Sequence, residues 1–258
     1  MGQLDVAYVA DLWEENQEYL KQRLGYSDST LYNAHWVLMP DVPQAKFNHA
    51  SLIRVSDADV EGMLASCHAY FKAEGLSIYG FLVTPATQPA SFGQRLSRMG
   101  FYWETNPVML WNGVPFRQDN PRITVRLADR NDSPVLFDLI QHVFFPGATR
   151  ETLVMGRRAI NISYDLGAYN YIAYLDGLPV GAGMLYVRGE MGGIYNMCTL
   201  PHSRGRGVAT AILAAILADA PRLGCRYVGL TPTAMGRPLY ERLGFREIYQ
   251  EMYFAHSC

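Results

Sequence analysis

The chain has 258 residues, of which 49% are hydrophobic and 18% charged, a composition typical of a folded protein with one large domain or two small ones. Its formal net charge of −2 gives no electrostatic basis for binding nucleic acid or an anionic membrane surface. The sequence has neither a basic N-terminal segment followed by an apolar core nor an apolar run long enough to span a bilayer, so we expect a cytoplasmic protein that does not contact membranes.

The four cysteines, Cys67, Cys198, Cys225 and Cys258, are widely separated and form no CxxC pair. In the cytoplasm, this spacing predicts reduced thiols rather than disulfides or a zinc site. We therefore expect no bound metal.

The first half of the chain predicts alternating helices and strands. The expected elements are a helix over 4–24 ended by Gly25, a strand over 36–39 ended by Pro40, a strand over 51–55, a helix from a cap at Ser56 or Asp57 to Lys72, a strand over 78–83, a helix over 91–99 and a strand over 101–111 interrupted at Pro107. The helix that ends at Lys72 places five apolar residues on one face: Val60, Met63, Leu64, Cys67 and Phe71.

Residues 112–121 contain two prolines, a glycine and several polar side chains, which is typical of a linker. We therefore expect one domain over 1–115 and a second over 122–258.

The second half predicts an α/β order of elements. They are a strand over 123–126, a helix over 134–142 capped by Asp132 or Ser133, a helix over 150–163, strands over 169–175 and 178–188 joined by the turn Asp176-Gly177, a strand over 193–199, a helix over 209–220, a strand over 226–230, a short helix with Tyr240 and a strand over 245–254.

The stretch from Leu200 to Thr210 joins a strand to a helix and contains two glycines and two arginines. Backbone N–H groups at a helix N-terminus bind anions, and glycine lets an anion approach them closely. The stretch has no Gly-Lys-Ser/Thr ending and no third glycine, so it is neither a Walker loop nor a dinucleotide fingerprint.

Arg204, Gly207 and Ala209 instead resemble the pyrophosphate loop of the GNAT superfamily of N-acetyltransferases, whose pattern is Arg/Gln-x-x-Gly-x-Gly/Ala. About thirty residues further on, the run from Leu239-Tyr240 to Gly244-Phe245 resembles the last helix and strand of that family. The resemblance implies a mixed central sheet flanked by helices, with acetyl-CoA as cosubstrate.

Two segments of the first half resemble the second half. Thr84-Pro85 and Gly100-Phe101 parallel Thr231-Pro232 and Gly244-Phe245, with intervals that differ by three residues. We interpret this likeness as a tandem duplication into two GNAT-like domains; chance similarity of two short α/β segments is the alternative. The first copy lacks the glycine loop, and Leu96 stands where the second has Tyr240, so we expect it to be degenerate.

The resemblance also implies roles for particular residues. Tyr240 would be the acid that protonates the departing thiolate. The cofactor would be bound by Met197, Thr199, Arg204, Gly205, Arg206, Gly207, Val208, Ala209 and Thr233, with an oxyanion donor near Met197–Thr199. Thr233 stands where the family often has an asparagine, and its shorter side chain puts that contact in doubt.

The base and the acceptor site have no fixed motif. Candidate bases are Glu190, Tyr195, Asn196 and His142, of which Glu190 also fits a solvated turn and His142 a helix cap. His202 is expected to be an exposed loop residue and Cys198 a small strand residue. The loop over 143–150 and the aromatic residues Phe144, Phe145, Tyr169 and Tyr171 would surround the acceptor or belong to the core.

These features predict direct transfer of an acetyl group from acetyl-CoA to the amine of a small molecule by the second domain, in a monomer or homodimer. The alternatives are an acetyltransferase acting on protein N-termini or lysines, and a CoA-binding regulatory module without turnover.

Overall fold

The computed structural model describes residues 4–24, 26–28, 32–39, 44–76 and 78–257. The helices are α1 (Val6–Leu24), α2 (Val60–Ala73), α3 (Phe92–Arg98), α4 (Ser133–Phe144), α5 (Arg150–Asp165), α6 (Val208–Asp219) and α7 (Arg237–Arg242). The strands are β1 (Tyr26–Asp28), β2 (His35–Leu38), β3 (His49–Ser51), β4 (Ile78–Val83), β5 (Tyr102–Trp111), β6 (Ile123–Leu127), β7 (Tyr169–Leu175), β8 (Leu178–Arg188), β9 (Met191–Thr199), β10 (Tyr227–Leu230) and β11 (Phe245–Ser257). The predicted α/β class is confirmed, whereas the predicted stops at Gly25 and Pro40 lie outside the described residues.

The chain forms two compact units. The first unit comprises Met1–Val108 and Glu247–Cys258, and the second comprises Met109–Arg246. This division differs from the expected domains, 1–115 and 122–258, because most of β11 packs in the first unit while the end of β5 packs in the second. Among the described residues, none of the helices combines the length and the apolarity that crossing a membrane requires.

The second unit has a mixed sheet with the strand order β5-β10-β9-β8-β7-β6. Its β9–β10 pair is parallel, and its other neighbouring strands are antiparallel. Alternate residues of β7 face opposite sides of the sheet, so Tyr171 packs with α6 while Ile172 packs with α4 and α5. Helices therefore cover both faces, as the resemblance implied.

The β7–β8 hairpin is the most accurately predicted part of the second unit. Both strands have the predicted bounds. The two turn residues, Asp176 and Gly177, have φ angles of 52° and 82°, and the aspartate–glycine pair tolerates these left-handed angles well.

The first unit also has a mixed sheet, ordered β1-β2-β3-β4-β11, in which only the β3–β4 pair of the described strands is parallel. The predicted inner face of α2 is confirmed, because all five of its apolar residues are buried. In each unit, an antiparallel strand from the other half of the chain follows the parallel pair: β11 lies beside β4, and β5 lies beside β10.

Three local predictions for the first half are wrong. The strand expected over 51–55 ends at Ser51, because Leu52 has a φ of 50° that breaks the extended backbone. The helix expected from Ser56 or Asp57 begins at Val60, because residues 56–59 form a turn closed by a 3.1 Å bond from Asp59 N to the Ser56 carbonyl. The third, an interruption at Pro107, does not occur, since β5 continues through it.

Candidate active site

The loop before α6 has the geometry of an anion site. Gly205 and Gly207 have φ angles of 74° and 91°, which side chains other than glycine rarely adopt. A Cβ atom at Gly205 would meet nothing within 4 Å, so the space in front of the loop is open. The first helical bond of α6 runs from Ala211 N to the Gly207 carbonyl, and the N–H groups of the preceding residues have no helical partner. Helix α6 begins at Val208, one residue earlier than predicted.

The two arginines of the loop are exposed and have different neighbours. Arg204 Nε donates a 3.3 Å hydrogen bond to the Thr199 carbonyl at the end of β9. Arg206 lies near the β7–β8 turn: the pKa of Asp176 is lowered, mainly by its hydrogen bond with Arg122 and to a smaller degree by the charge of Arg206. Both arginines therefore add positive charge to the loop that contains Gly205.

A second contact of the loop was not foreseen from the sequence. Asn120, in the predicted linker, donates a 3.1 Å hydrogen bond from Nδ2 to the Arg206 carbonyl. No local pattern predicts this contact, because the two residues are 86 positions apart.

Strands β9 and β10 separate beside this loop. Their parallel register covers Met191–Gly193 and Tyr227–Gly229, and in the described part of the second unit no backbone hydrogen bond joins residues 196–200 to residues 230–236. We call this opening the β9–β10 gap. Asn196, with a φ of 54°, marks a bulge where the β8–β9 register also shifts. The predicted oxyanion region, Met197–Thr199, lies along the gap.

The predicted cofactor residues on β9 differ in what they offer. The Oγ1 atom of Thr199 is buried and has no hydrogen-bond partner among the described residues, so it is free to bond a ligand. The side chain of Met197 packs against the core beneath α6, where its sulfur would lie 2.5 Å from a Cβ added at Gly183. Met197 therefore has only its backbone to offer.

Tyr240 lies in α7 and is 9% exposed. Its ring packs edge-on against Phe245, with 5.7 Å between the ring centroids. Burial raises the pKa of Tyr240 to about 12, so the phenol is protonated at neutral pH. Thr233, a predicted cofactor residue, caps the turn before α7, because its Oγ1 atom accepts a 3.2 Å hydrogen bond from Gly236 N. Its hydroxyl proton is not used in this bond and can still be donated.

The structure reduces the set of candidate bases. Glu190 precedes β9, about 20 Å along the strand from Asn196 and the gap, and pairs with Arg226. His142 is exposed in the last turn of α4 and donates from Nδ1 to the Asp138 carbonyl, one turn earlier in the same helix. Asn196 lies at the bulge, but an amide does not accept a proton at neutral pH. Tyr195, beside it, is half-buried.

The remaining candidates divide into core and surface. Tyr171 is buried and donates a 2.8 Å hydrogen bond to Asp219, so it belongs to the core. Phe144 and Phe145 are 41% and 46% exposed at the end of α4. Cys198 is buried, and burial raises the pKa of its thiol to about 11, which excludes an activated nucleophile. His202 is exposed, as expected.

The corresponding place in the first unit is closed. Gln88 N bonds the Ile53 carbonyl at 2.9 Å and Val55 N bonds the Gln88 carbonyl at 3.1 Å, which rejoins the chain beyond β3 to the chain beyond β4. The carboxylate of Glu14 in α1 accepts bonds from Leu52 N at 2.6 Å and from the Thr84 hydroxyl at 3.0 Å. The Leu52 N–H group is therefore already bonded to a side chain of the protein.

Glu14 belongs to a buried polar cluster. Glu18 accepts bonds from Lys21, His49 and Ser51, and Glu251 accepts bonds from Trp13 and Gln17. Burial raises the pKa of Glu14 to about 7 and also raises that of Glu251. Burial alone would raise the pKa of Glu18, but Lys21 and His49 lower it.

A comparison with family models finds one match, which covers part of the chain. Residues 167–247 match the family model of the acetyltransferase (GNAT) domain, a segment that contains the loop, the gap and Tyr240. No curated protein sequence matches the chain.

Three solved structures resemble nearly the whole chain. A GCN5-related N-acetyltransferase from Kribbella flavida is 15% identical over 97% of this chain and 95% of its own, with a TM-score of 0.71. One from Sphaerobacter thermophilus is 17% identical over 98% and 92%, with a TM-score of 0.63. A functionally unknown conserved protein from Staphylococcus epidermidis is 13% identical over 90% and 94%, with a TM-score of 0.65. The chain therefore has the fold of these proteins, a GNAT fold.

Proposed function

We propose that the second unit transfers an acetyl group directly from acetyl-CoA to a primary amine of a small molecule. The observation that carries this proposal is the β9–β10 gap, which opens beside a glycine loop at the N-terminus of α6. The gap offers backbone donors for an extended ligand, and the loop offers N–H groups for an anion next to it. An acyl thioester on a pantetheine arm with a pyrophosphate has both parts.

The residues around the gap fit acetyl-CoA. Residues 204–209 would bind the pyrophosphate, since the two left-handed glycines keep their N–H groups accessible. The unpartnered Thr199 Oγ1 and the backbone of Met197 would bond the pantetheine arm, with Thr233 donating from the other side of the gap.

The chemistry requires few side chains, because acetyl-CoA supplies an activated acyl group. The amine nitrogen adds to the thioester carbon and gives an oxyanion, which the N–H groups near Met197–Thr199 would stabilise. The carbon–sulfur bond then breaks and the CoA thiolate leaves. The thiolate takes its proton from Tyr240, which is protonated throughout the neutral range. The amine loses its proton to water in the gap, since Glu190 and His142 are held by other partners and the Asn196 amide does not accept a proton.

The acceptor would lie near the loop over 143–150. The exposed rings of Phe144 and Phe145, with centroids 6.4 Å apart, favour an amine that carries an apolar group.

The first unit would be a degenerate copy of the second. In each unit, a residue with a left-handed backbone follows the parallel strand pair at the same distance. In the first unit, His49 pairs with Gly80, and Leu52 comes three residues after His49. In the second unit, Gly193 pairs with Gly229, and Asn196 comes three residues after Gly193. Among the described residues of the first unit, the closed strand ends and the Glu14 carboxylate leave no equivalent of the gap.

The test is release of CoA thiol from acetyl-CoA in the presence of small primary amines, with and without aromatic groups, and of peptides with a free N-terminus or an internal lysine. Thiol release with small amines supports the proposal. Release with peptides alone would assign the protein to protein acetyltransferases, and binding of acetyl-CoA without release to any acceptor would make it a binding module.

A further inference from the structure

Asn120 uses both polar atoms of its side chain to connect the linker to the loop before α6. Its Oδ1 atom accepts a 3.1 Å bond from Arg122 N, and its Nδ2 atom donates to the Arg206 carbonyl. Gln118 bonds the Asn120 backbone at both N and O, at 2.7 Å and 2.9 Å. The amide plane of Asn120 is therefore fixed by the linker itself.

The bond to Arg206 orients one particular N–H group. The carbonyl of Arg206 and the N–H of Gly207 belong to one planar trans peptide, so they point in opposite directions. Fixing the carbonyl toward Asn120 aims the Gly207 N–H away from the linker. Gly207 caps the N-terminus of α6 and has a φ of 91°. Because glycine has no Cβ atom, an unrestrained Gly207 could adopt many other backbone angles as well.

We propose that Asn120 is a positioning residue for cofactor binding: it holds the Arg206–Gly207 peptide in the orientation in which its N–H group bonds the pyrophosphate. This inference rests on the proposed function and deepens it. Without Asn120 the peptide rotates among several orientations, and the ligand must order it on binding.

The test compares CoA, which carries the pyrophosphate, with pantetheine, which lacks it. We expect Asn120→Ala to lower the affinity for CoA about three- to tenfold in calorimetric titrations, which is the usual effect of losing one hydrogen bond. The affinity for pantetheine, measured by NMR titration, should stay within about twofold of the wild-type value. Asn120→Asp keeps the acceptor for Arg122 N but removes the donor, so it should weaken CoA at least as much. The KM for acetyl-CoA should rise by a similar factor, so that kcat/KM falls more than kcat does.

The matched control is Asn112→Ala, since Asn112 is a second linker asparagine whose Oδ1 atom bonds Val114 N within the linker. It should leave CoA affinity unchanged. Wild-type CoA affinity in either Asn120 variant, or equal weakening of CoA and pantetheine, would overturn the inference alone. Failure of the unaltered protein to bind CoA would overturn the proposed function and this inference with it.

Discussion

The parallel strand pairs of the two units, β3–β4 and β9–β10, start alike and end differently. Each pair has a left-handed residue three positions after the strand residue that faces a glycine, Leu52 in the first and Asn196 in the second. Beyond that point, backbone bonds through Gln88 rejoin the first pair, whereas the second stays open. The same backbone irregularity serves internal packing in the first unit, where a carboxylate fills it. Under the proposed function it serves ligand binding in the second unit, where the strands stay apart.

The largest effect is expected from removing the hydroxyl of Tyr240. The proposed duplication places Leu96 at the equivalent position of the first unit. Tyr240→Phe should lower turnover by about 100-fold or more, as loss of a general acid does, and leave acetyl-CoA affinity unchanged because the ring still packs on Phe245. Turnover and calorimetric affinity are the two readouts. Tyr227→Phe, on β10, is the control; equal turnover in both variants would remove Tyr240 from the chemistry.

The next largest effect is expected at the carboxyl group that bonds Leu52 N in the first unit. Glu14 is fully buried, and its pKa is raised from 4.5 to about 7, so between these values the folded state binds more protons than the unfolded state. Stability should therefore fall as the pH rises through that window, by up to about 3 kcal/mol. Glu14→Gln should abolish this part of the pH dependence.

Chemical denaturation followed by tryptophan fluorescence at about pH 4.5 and about pH 8 measures this effect, since Trp13 and Trp36 are buried in the first unit. The control is Glu61→Gln, at an exposed glutamate of α2. A slope that is the same in the Glu14 variant and the wild type would show that the pKa of Glu14 does not change on folding.

A smaller effect is expected at Gly207. The substitution Gly207→Val forces a β-branched residue to a φ of 91°, which costs about 1–3 kcal/mol. Because this strain distorts the loop, the affinity for acetyl-CoA should fall about 10- to 100-fold. Gly75→Val imposes similar strain after α2 in the first unit, where φ is 73°. That control should lose stability but keep its acetyl-CoA affinity, and equal affinity loss in both would point to general destabilisation.

The smallest effect expected is a pH profile that does not respond to Tyr240 in the ordinary range. Because burial raises the pKa of Tyr240 to about 12, the pH profile of turnover at saturating substrates should show no alkaline decline from this group below about pH 11. A decline centred near pH 10 that vanishes in Tyr240→Phe would show that the phenol ionises at its ordinary pKa.

Local signals in the sequence predict much of the second unit and less of the first. The Asp176-Gly177 turn defines the β7–β8 hairpin because few residue pairs suit two left-handed positions. Leucine carries no such signal, so the sequence does not predict the break at Leu52, and the strand expected over 51–55 lies later in the chain than β3 does.

Long-range contacts explain the remaining differences. Glu14 bonds Leu52 across 38 positions and Asn120 bonds Arg206 across 86, and no periodicity or motif connects such residues. The exchange of the final strands β5 and β11 between the units has the same cause, because each strand's partner is determined by packing rather than by its own sequence.

Calorimetric titration of the full chain with acetyl-CoA tests the contrast between the two units most directly. The open β9–β10 gap and the closed first unit predict binding of one acetyl-CoA per chain. Binding of two would contradict the degeneracy of the first unit, and absence of binding would contradict the assignment of the glycine loop and the gap to the cofactor.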